Sequence, residues 1–217
     1  MVSKIAALLK ASHFGPTVLV TTIAFFFARH YWWEGPAYVI AFGVFVGQLI
    51  VGWSNDLYDY QDDLSHQRMK KPLVAQTISV QELRSWTFWM IPFAFIANLL
   101  GPLGIAGGLL YMLGIACGVG YNFYFKFTAL SPLPYAVAFA ALPSCIAISK
   151  EITPPLWMWL GGAIFGVAAH FINVLKDMKK DQQSGIRGLP QRLGSVGSII
   201  TAGLLIAAGV ALLVYSR

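Results

Sequence analysis

Apolar residues run through this chain in stretches too long and too free of charge for a water-soluble core. Seven can be read, at 14–28, 36–53, 86–100, 102–125, 132–149, 154–175 and 196–215. A helix needs about 20 apolar residues to cross a bilayer, and about 17–25 are tolerated. Lipid offers no partner to a backbone N–H or C=O, so each crossing segment must satisfy its own. Charged residues make up only 11% of the chain, against about 25% in an ordinary soluble domain. The expectation is all-α: one polytopic transmembrane helical bundle of about seven spans, a single domain over 1–217 held in the lipid bilayer. The stretches at 86–100 and 102–125 are parted only by Gly101-Pro102. Together they exceed one crossing, so the dipeptide reads as a tight hairpin.

The net charge of +6 would raise the question of nucleic acid in a soluble protein. Here topology accounts for it, and no nucleic-acid partner is expected. With the N-terminus cytoplasmic, one side of the bilayer holds twelve basic residues and the other only Arg29, Lys150 and Arg217. Such a bias is the positive-inside pattern. Lys4 and Lys10 precede an apolar run with no small-residue cleavage site after it, so a retained first span is expected rather than a signal peptide. Trp32, Trp33, Trp53, Trp86, Trp157 and Trp159 fall near span ends and read as interfacial anchors. Gly104/Gly108, Gly114/Gly118 and Gly162/Gly166 have the small-xxx-small spacing of close helix packing. Cys117 and Cys145 lie in apolar runs and read as buried thiols, without a disulfide.

Six of the nine acidic residues gather in two clusters at span ends. The first is Asn55-Asp56-Leu57-Tyr58-Asp59-Tyr60-Gln61-Asp62-Asp63. If the second span continues as helix past Trp53, Asp56, Asp59 and Asp63 share one face, with Asn55 beside Asp59, while Asp62 points elsewhere. The second runs from Asn173 through Asp177 to Asp181, again at one-turn spacing. Like charges so spaced repel on a bare helix and become favourable around a divalent cation. Oxygen-only ligation favours a hard ion, and magnesium is typically held by one or two carboxylates plus substrate phosphates. No histidine or cysteine pair has the spacing that zinc prefers. Each acidic cluster opens a basic loop, a weak internal repeat that would face its partner across a central cavity. Arg68, Lys70 and Lys71 follow the first; Lys176, Lys179, Lys180 and Arg187 surround the second; Lys126 ends the fourth span. Cations beside a metal site suit a ligand such as a diphosphate. Both clusters fall on the expected cytoplasmic side.

These features together resemble the UbiA superfamily of intramembrane prenyltransferases. Asn55 to Asp63 is similar to its NDxxDxxxD motif, with Arg68 and Lys71-Pro72 like the basic segment after it. Tyr121 to Lys126 resembles its tyrosine-and-lysine motif, Asp177 and Asp181 its second DxxxD core, and Gly185 to Gly194 the segment beyond. The likeness spans about residues 14–215. It implies a helical bundle with a central cavity, Mg2+-dependent ionisation of a prenyl diphosphate, and transfer of the prenyl group to an acceptor. On that resemblance Asp56, Asp59, Asp63, Asp177 and Asp181 would hold Mg2+, with Asn55 among the magnesium-diphosphate ligands. Lys126, Arg68 and Lys71 would bind the diphosphate, and Tyr121 or Tyr124 would stabilise the allylic cation. Asn173 and Lys176 precede the second pair in a manner similar to the menaquinone and chlorophyll branches.

There are departures. His170 stands where the family often has a further aspartate; it is either a base or ligand near the metal or a hydrogen-bonded intramembrane histidine. His13, His30 and His66 read as interfacial. Most members have about nine spans, so seven suggest a short member or a fragment lacking the last two helices, whose missing wall would either open the lipid side of the cavity or require an oligomer. The superfamily fold also implies rival outcomes, terpene cyclisation or phosphoribosyl transfer to a polyprenyl phosphate. A non-catalytic prenyl-lipid binding protein is a third.

Overall fold

The computed structural model describes residues 4–216; Arg217, counted above among the basic residues, lies outside them. Nine α-helices and one 3-10 turn are present among the described residues, with no strand. They are α1 (Lys4–Ala11), α2 (Phe14–Tyr31), α3 (Glu34–Ser65), α4 (Val80–Leu99), α5 (Gly104–Phe123), α6 (Pro132–Ile148), α7 (Leu156–Leu175), α8 (Met178–Gln183) and α9 (Leu189–Tyr215). Each of the seven expected apolar segments is therefore a helix. Four of them, α3, α5, α7 and α9, are long and apolar enough to cross a membrane alone. The α1–α2 pair passes together but is bent by 75°, and α6 is a shorter apolar helix. The Gly101-Pro102 turn does separate α4 from α5.

The bundle is built around α3, which packs against α2, α4 and α5; the chain then continues α5–α6–α7–α9 by neighbouring contacts, and α2 touches α6. Its apolar centre joins Ala24 and Ala28 of α2, Ile40 and Val44 of α3, Ala94 of α4, Tyr111 of α5 and Cys145 of α6. The Gly162/Gly166 pair works as the spacing predicts. A Cβ at Gly166 would stand 2.5 Å from the Tyr135 carbonyl oxygen, and one at Gly162 2.5 Å from that of Phe139. Backbone-to-backbone approach thus seals α6 on α7. Both cysteines are free thiols.

A second apolar cluster lies at the end of the bundle that carries the acidic residues. Ala7 and Ala11 of α1 pack with Leu49 and Trp53 of α3, Leu73 and Ile78 of the following loop, and Leu83 of α4. Trp53 is not an interfacial anchor. It is buried, and its indole N–H donates to the Leu8 carbonyl at 2.8 Å, so it pins α1 to α3. α4 begins with a capping box in which Ser79 and Glu82 satisfy each other's backbone N–H groups.

α3 decides where the site lies. Its 32 residues make a rod of about 48 Å, against a hydrocarbon layer about 30 Å thick. The polar last third therefore emerges from the apolar stretch as unbroken helix. The expected shared face of Asp56, Asp59 and Asp63 is realised. The second ladder is not. α7 stops at Leu175, Asp177 takes a non-helical conformation (φ −114°, ψ 4°), and α8 restarts at Met178. Asn173 is thereby separated from the pair, although Asp177 and Asp181 stay one turn apart through the Asp181 N–H to Asp177 carbonyl bond of 2.9 Å.

Candidate active site

Three aspartates on one helix face repel, and Asp56 and Asp63 are each only 2% exposed. A buried carboxylate needs a cation or donors to be tolerable. The structure supplies a separate cation for each, all from outside α3. Lys71 reaches Asp56 Oδ1 at 2.5 Å. Lys126 pairs with Asp59 Oδ1. Arg68 donates to Asp63 Oδ1 at 2.7 Å. Asn55, one turn before Asp59, donates to its other oxygen at 3.0 Å. Lys126 is itself buried, on the 3-10 turn after α5, with its ammonium 4.7 Å from the Tyr58 ring centroid.

Asp62, off the shared face, is not idle. It accepts from Ser184 at 2.8 Å, and Arg68 lies 3.3 Å from both the Asp62 carboxylate and the Ser184 hydroxyl. This knot ties the end of α3 to the end of α8 and so brings the second acidic segment to the same end of the bundle. Asp181 accepts from the Gln191 amide at 2.8 Å. Burial pushes its carboxyl above the usual carboxylate range; the Gln191 hydrogen bond opposes this, Asp177 adds to it, and Lys126 and Arg68 counter it from a distance. Asp177 is more exposed and pairs with Lys180 at 3.7 Å. Gln191 also lines a cleft of about 320 Å³ with Gln182, Ile186, Arg187 and Arg192.

The remaining expected site residues divide. Tyr121 packs edge-on against Tyr135 and His170, at 5.2 and 5.4 Å between ring centroids. Tyr124 is 63% exposed and packs edge-on against Phe125. His170 is fully buried, one nitrogen 3.0 Å from the Ser131 hydroxyl and the other without a partner. It belongs to an aromatic group with Tyr121, Tyr135 and Phe171 between α5, α6 and α7. Asn173 reaches Tyr135. Lys176, the C-cap of α7, is exposed.

Sequence reasoning missed Ser184, Gln191, Tyr58 and above all His13. The last lies at the α1–α2 bend with its Nε2 3.2 Å from Asp56 Oδ1, and is not merely interfacial.

Among the described residues no three acidic or imidazole groups already converge on one point. The donor set nevertheless fits a hard cation. All its ligands are oxygens, and Asp56 Oδ2 is buried without a hydrogen-bond partner, an arrangement costly unless something else meets that atom.

An apolar helical bundle capped at one end by paired carboxylates and cations defines an integral membrane protein with a polar site at the lipid boundary. The sequence pattern of the UbiA prenyltransferase family matches residues 18–217, and the chain belongs to that family. No curated protein matches it. Among solved structures, it resembles a UbiA homolog from Archaeoglobus fulgidus bound to GPP and Mg2+, at TM-score 0.77 and 15% identity, covering 97% of this chain and 77% of that one. It also resembles a UbiA homolog from Aeropyrum pernix K1 in its apo form, at TM-score 0.71 and 18% identity, covering 98% and 78%. At such identity the likeness establishes the shared fold.

Proposed function

We propose that this protein is a magnesium-dependent prenyltransferase, which transfers a prenyl group from a prenyl diphosphate to an acceptor within the membrane. The observation that carries the reading is the set of three aspartate–cation pairs at the end of α3, beside an apolar bundle. The resemblance to a homolog holding GPP and Mg2+ supports it. Asp56, Asp59 and Asp63, with Asp177 and Asp181, would hold the ion, which would neutralise charge on the diphosphate. Lys126, Lys71 and Arg68 pair with carboxylates in the free protein. They are the groups suited to the diphosphate oxygens, where negative charge grows as the leaving group departs.

The C1–O bond of the allylic diphosphate breaks with its electron pair going to diphosphate. The acceptor then supplies a pair to C1 and loses a proton. Diphosphate leaves poorly from water-exposed sites without such neutralisation, and the apolar helices would keep water from the allylic cation. Tyr121, whose ring packs against Tyr135 and His170, would be the tyrosine that faces that cation. The site would open to the cytoplasm.

The test uses the full chain in nanodiscs with radiolabelled geranyl or dimethylallyl diphosphate, with Mg2+ or chelator, and with or without aromatic and lipid acceptors. Prenylated acceptor and released diphosphate, both abolished by chelation and by Asp59→Asn, are expected. A cyclic hydrocarbon formed without acceptor would replace transfer by cyclisation. Binding with no diphosphate release would leave only a prenyl-lipid carrier.

A further inference from the structure

The bend between α1 and α2 has no role in the reaction as drawn, yet it delivers a side chain to a buried carboxylate. His13 has φ 56° and ψ 59°, left-handed backbone that favours glycine or asparagine. The bend is held there by several contacts. Thr17 Oγ1 donates to the Ser12 carbonyl at 2.7 Å, and Trp53 holds the Leu8 carbonyl. A Cβ at Gly52 would stand 2.6 Å from the Ser12 Cα, so only glycine on α3 lets the bend seat this closely. Gly52 is one helical turn before Asp56. The strain is therefore held against the site, and strained residues so fixed tend to serve a function.

The imidazole sits in a tight polar group. Its Nε2 is 3.2 Å from Asp56 Oδ1 and 3.4 Å from both Asn55 Nδ2 and Lys71 Nζ. Lys71 meets the same Asp56 oxygen. Lys71 and His13 thus meet Oδ1 from two separate segments, and Oδ2 is left buried and unmatched. A carboxylate held by one oxygen cannot rotate without losing both contacts.

We propose that His13 is a positioning residue of the site: together with Lys71 it fixes Asp56 Oδ1, so that Asp56 Oδ2 is presented to the divalent cation. This rests on the proposed function. It makes the α1–α2 bend part of the active site.

The experiment measures Mn2+ binding by the full chain in detergent, in the presence of inorganic pyrophosphate, by electron paramagnetic resonance. His13→Gly and His13→Asn remove the ring while suiting the left-handed backbone. His13→Gln keeps an N–H donor. Expected are a Mn2+ Kd raised about 10–100-fold in the Gly and Asn variants, with melting temperatures unchanged or higher, and restoration by the Gln variant or by added imidazole. In turnover the apparent KM for Mn2+ rises more than kcat falls. Wild-type affinity in His13→Gly and His13→Asn overturns the proposal, as does a loss that follows a fall in melting temperature and is rescued by neither Gln nor imidazole. If the wild-type protein itself binds no Mn2+ with pyrophosphate, the proposed function fails and this inference with it.

Discussion

Replacing Lys126 by methionine separates the two duties assigned to that residue. The Lys126 side chain is 4% exposed and that of its partner Asp59 is 23% exposed. Breaking a fully buried pair costs about 3–5 kcal/mol. Asp59 here keeps the Asn55 hydrogen bond and some access to water, so we expect a loss of about 2–3 kcal/mol, including the cation–π contact with Tyr58. Adding Asp59→Asn removes the stranded charge and should recover at least half of the loss. Activity should not recover. Removing one group that stabilises leaving-group charge costs about 10²–10³-fold in rate, and the double variant has also lost a proposed ligand. The assay pairs thermal unfolding in detergent with diphosphate release from labelled geranyl diphosphate, for wild type, both single variants and the double variant. The pairing argument is wrong if Lys126→Met leaves unfolding unchanged, or if Asp59→Asn on top of it destabilises further. The catalytic argument is wrong if Lys126→Met turns over within threefold of wild type.

Three other outcomes are expected. Tyr124→Ala, at an exposed site, should keep turnover within about twofold, whereas Tyr121→Ala, which removes the ring packed on Tyr135 and His170, should lower it at least tenfold; steady-state kinetics on both distinguishes them. Gly166→Ala should destabilise by about 1–3 kcal/mol through collision with the Tyr135 carbonyl, while Gly203→Ala, with nothing within 4 Å, should be neutral or stabilise by up to about 1 kcal/mol; thermal melts compare them. Arg68→Ala should release α8 from α3 by removing the contacts to Asp63, Asp62 and Ser184, read as faster hydrogen exchange over 178–188.

What could be read from the sequence follows from how local each constraint is. The helices were legible because lipid leaves the backbone few alternatives, and the boundary at Gly101-Pro102 because it breaks an over-long apolar run. The Asp56, Asp59 and Asp63 face was legible because α3 keeps its periodicity through the polar segment. The same periodicity failed at Asn173, Asp177 and Asp181, since the chain breaks its helix at Lys176–Asp177, where no proline or glycine announces a stop. Trp53 was misread because an indole near a span end fits the interface as well as it fits a core, and only the fold of α1 back over α3 decides. His13 was illegible for the same reason. Its neighbour Asp56 is 43 residues away in sequence, and a 75° bend brings them together.

The unbroken length of α3 leaves no joint between the oily middle of the protein and its charged tip. Trp53 and Asp63 are separated by ten residues of helix, about 15 Å of stiff lever. A rod responds to a thinner or thicker bilayer by tilting, and any tilt sweeps all three carboxylates through the same arc while Lys71, Lys126 and Arg68 ride on other segments. Acyl-chain length thereby becomes a mechanical input to the registry between acid and base.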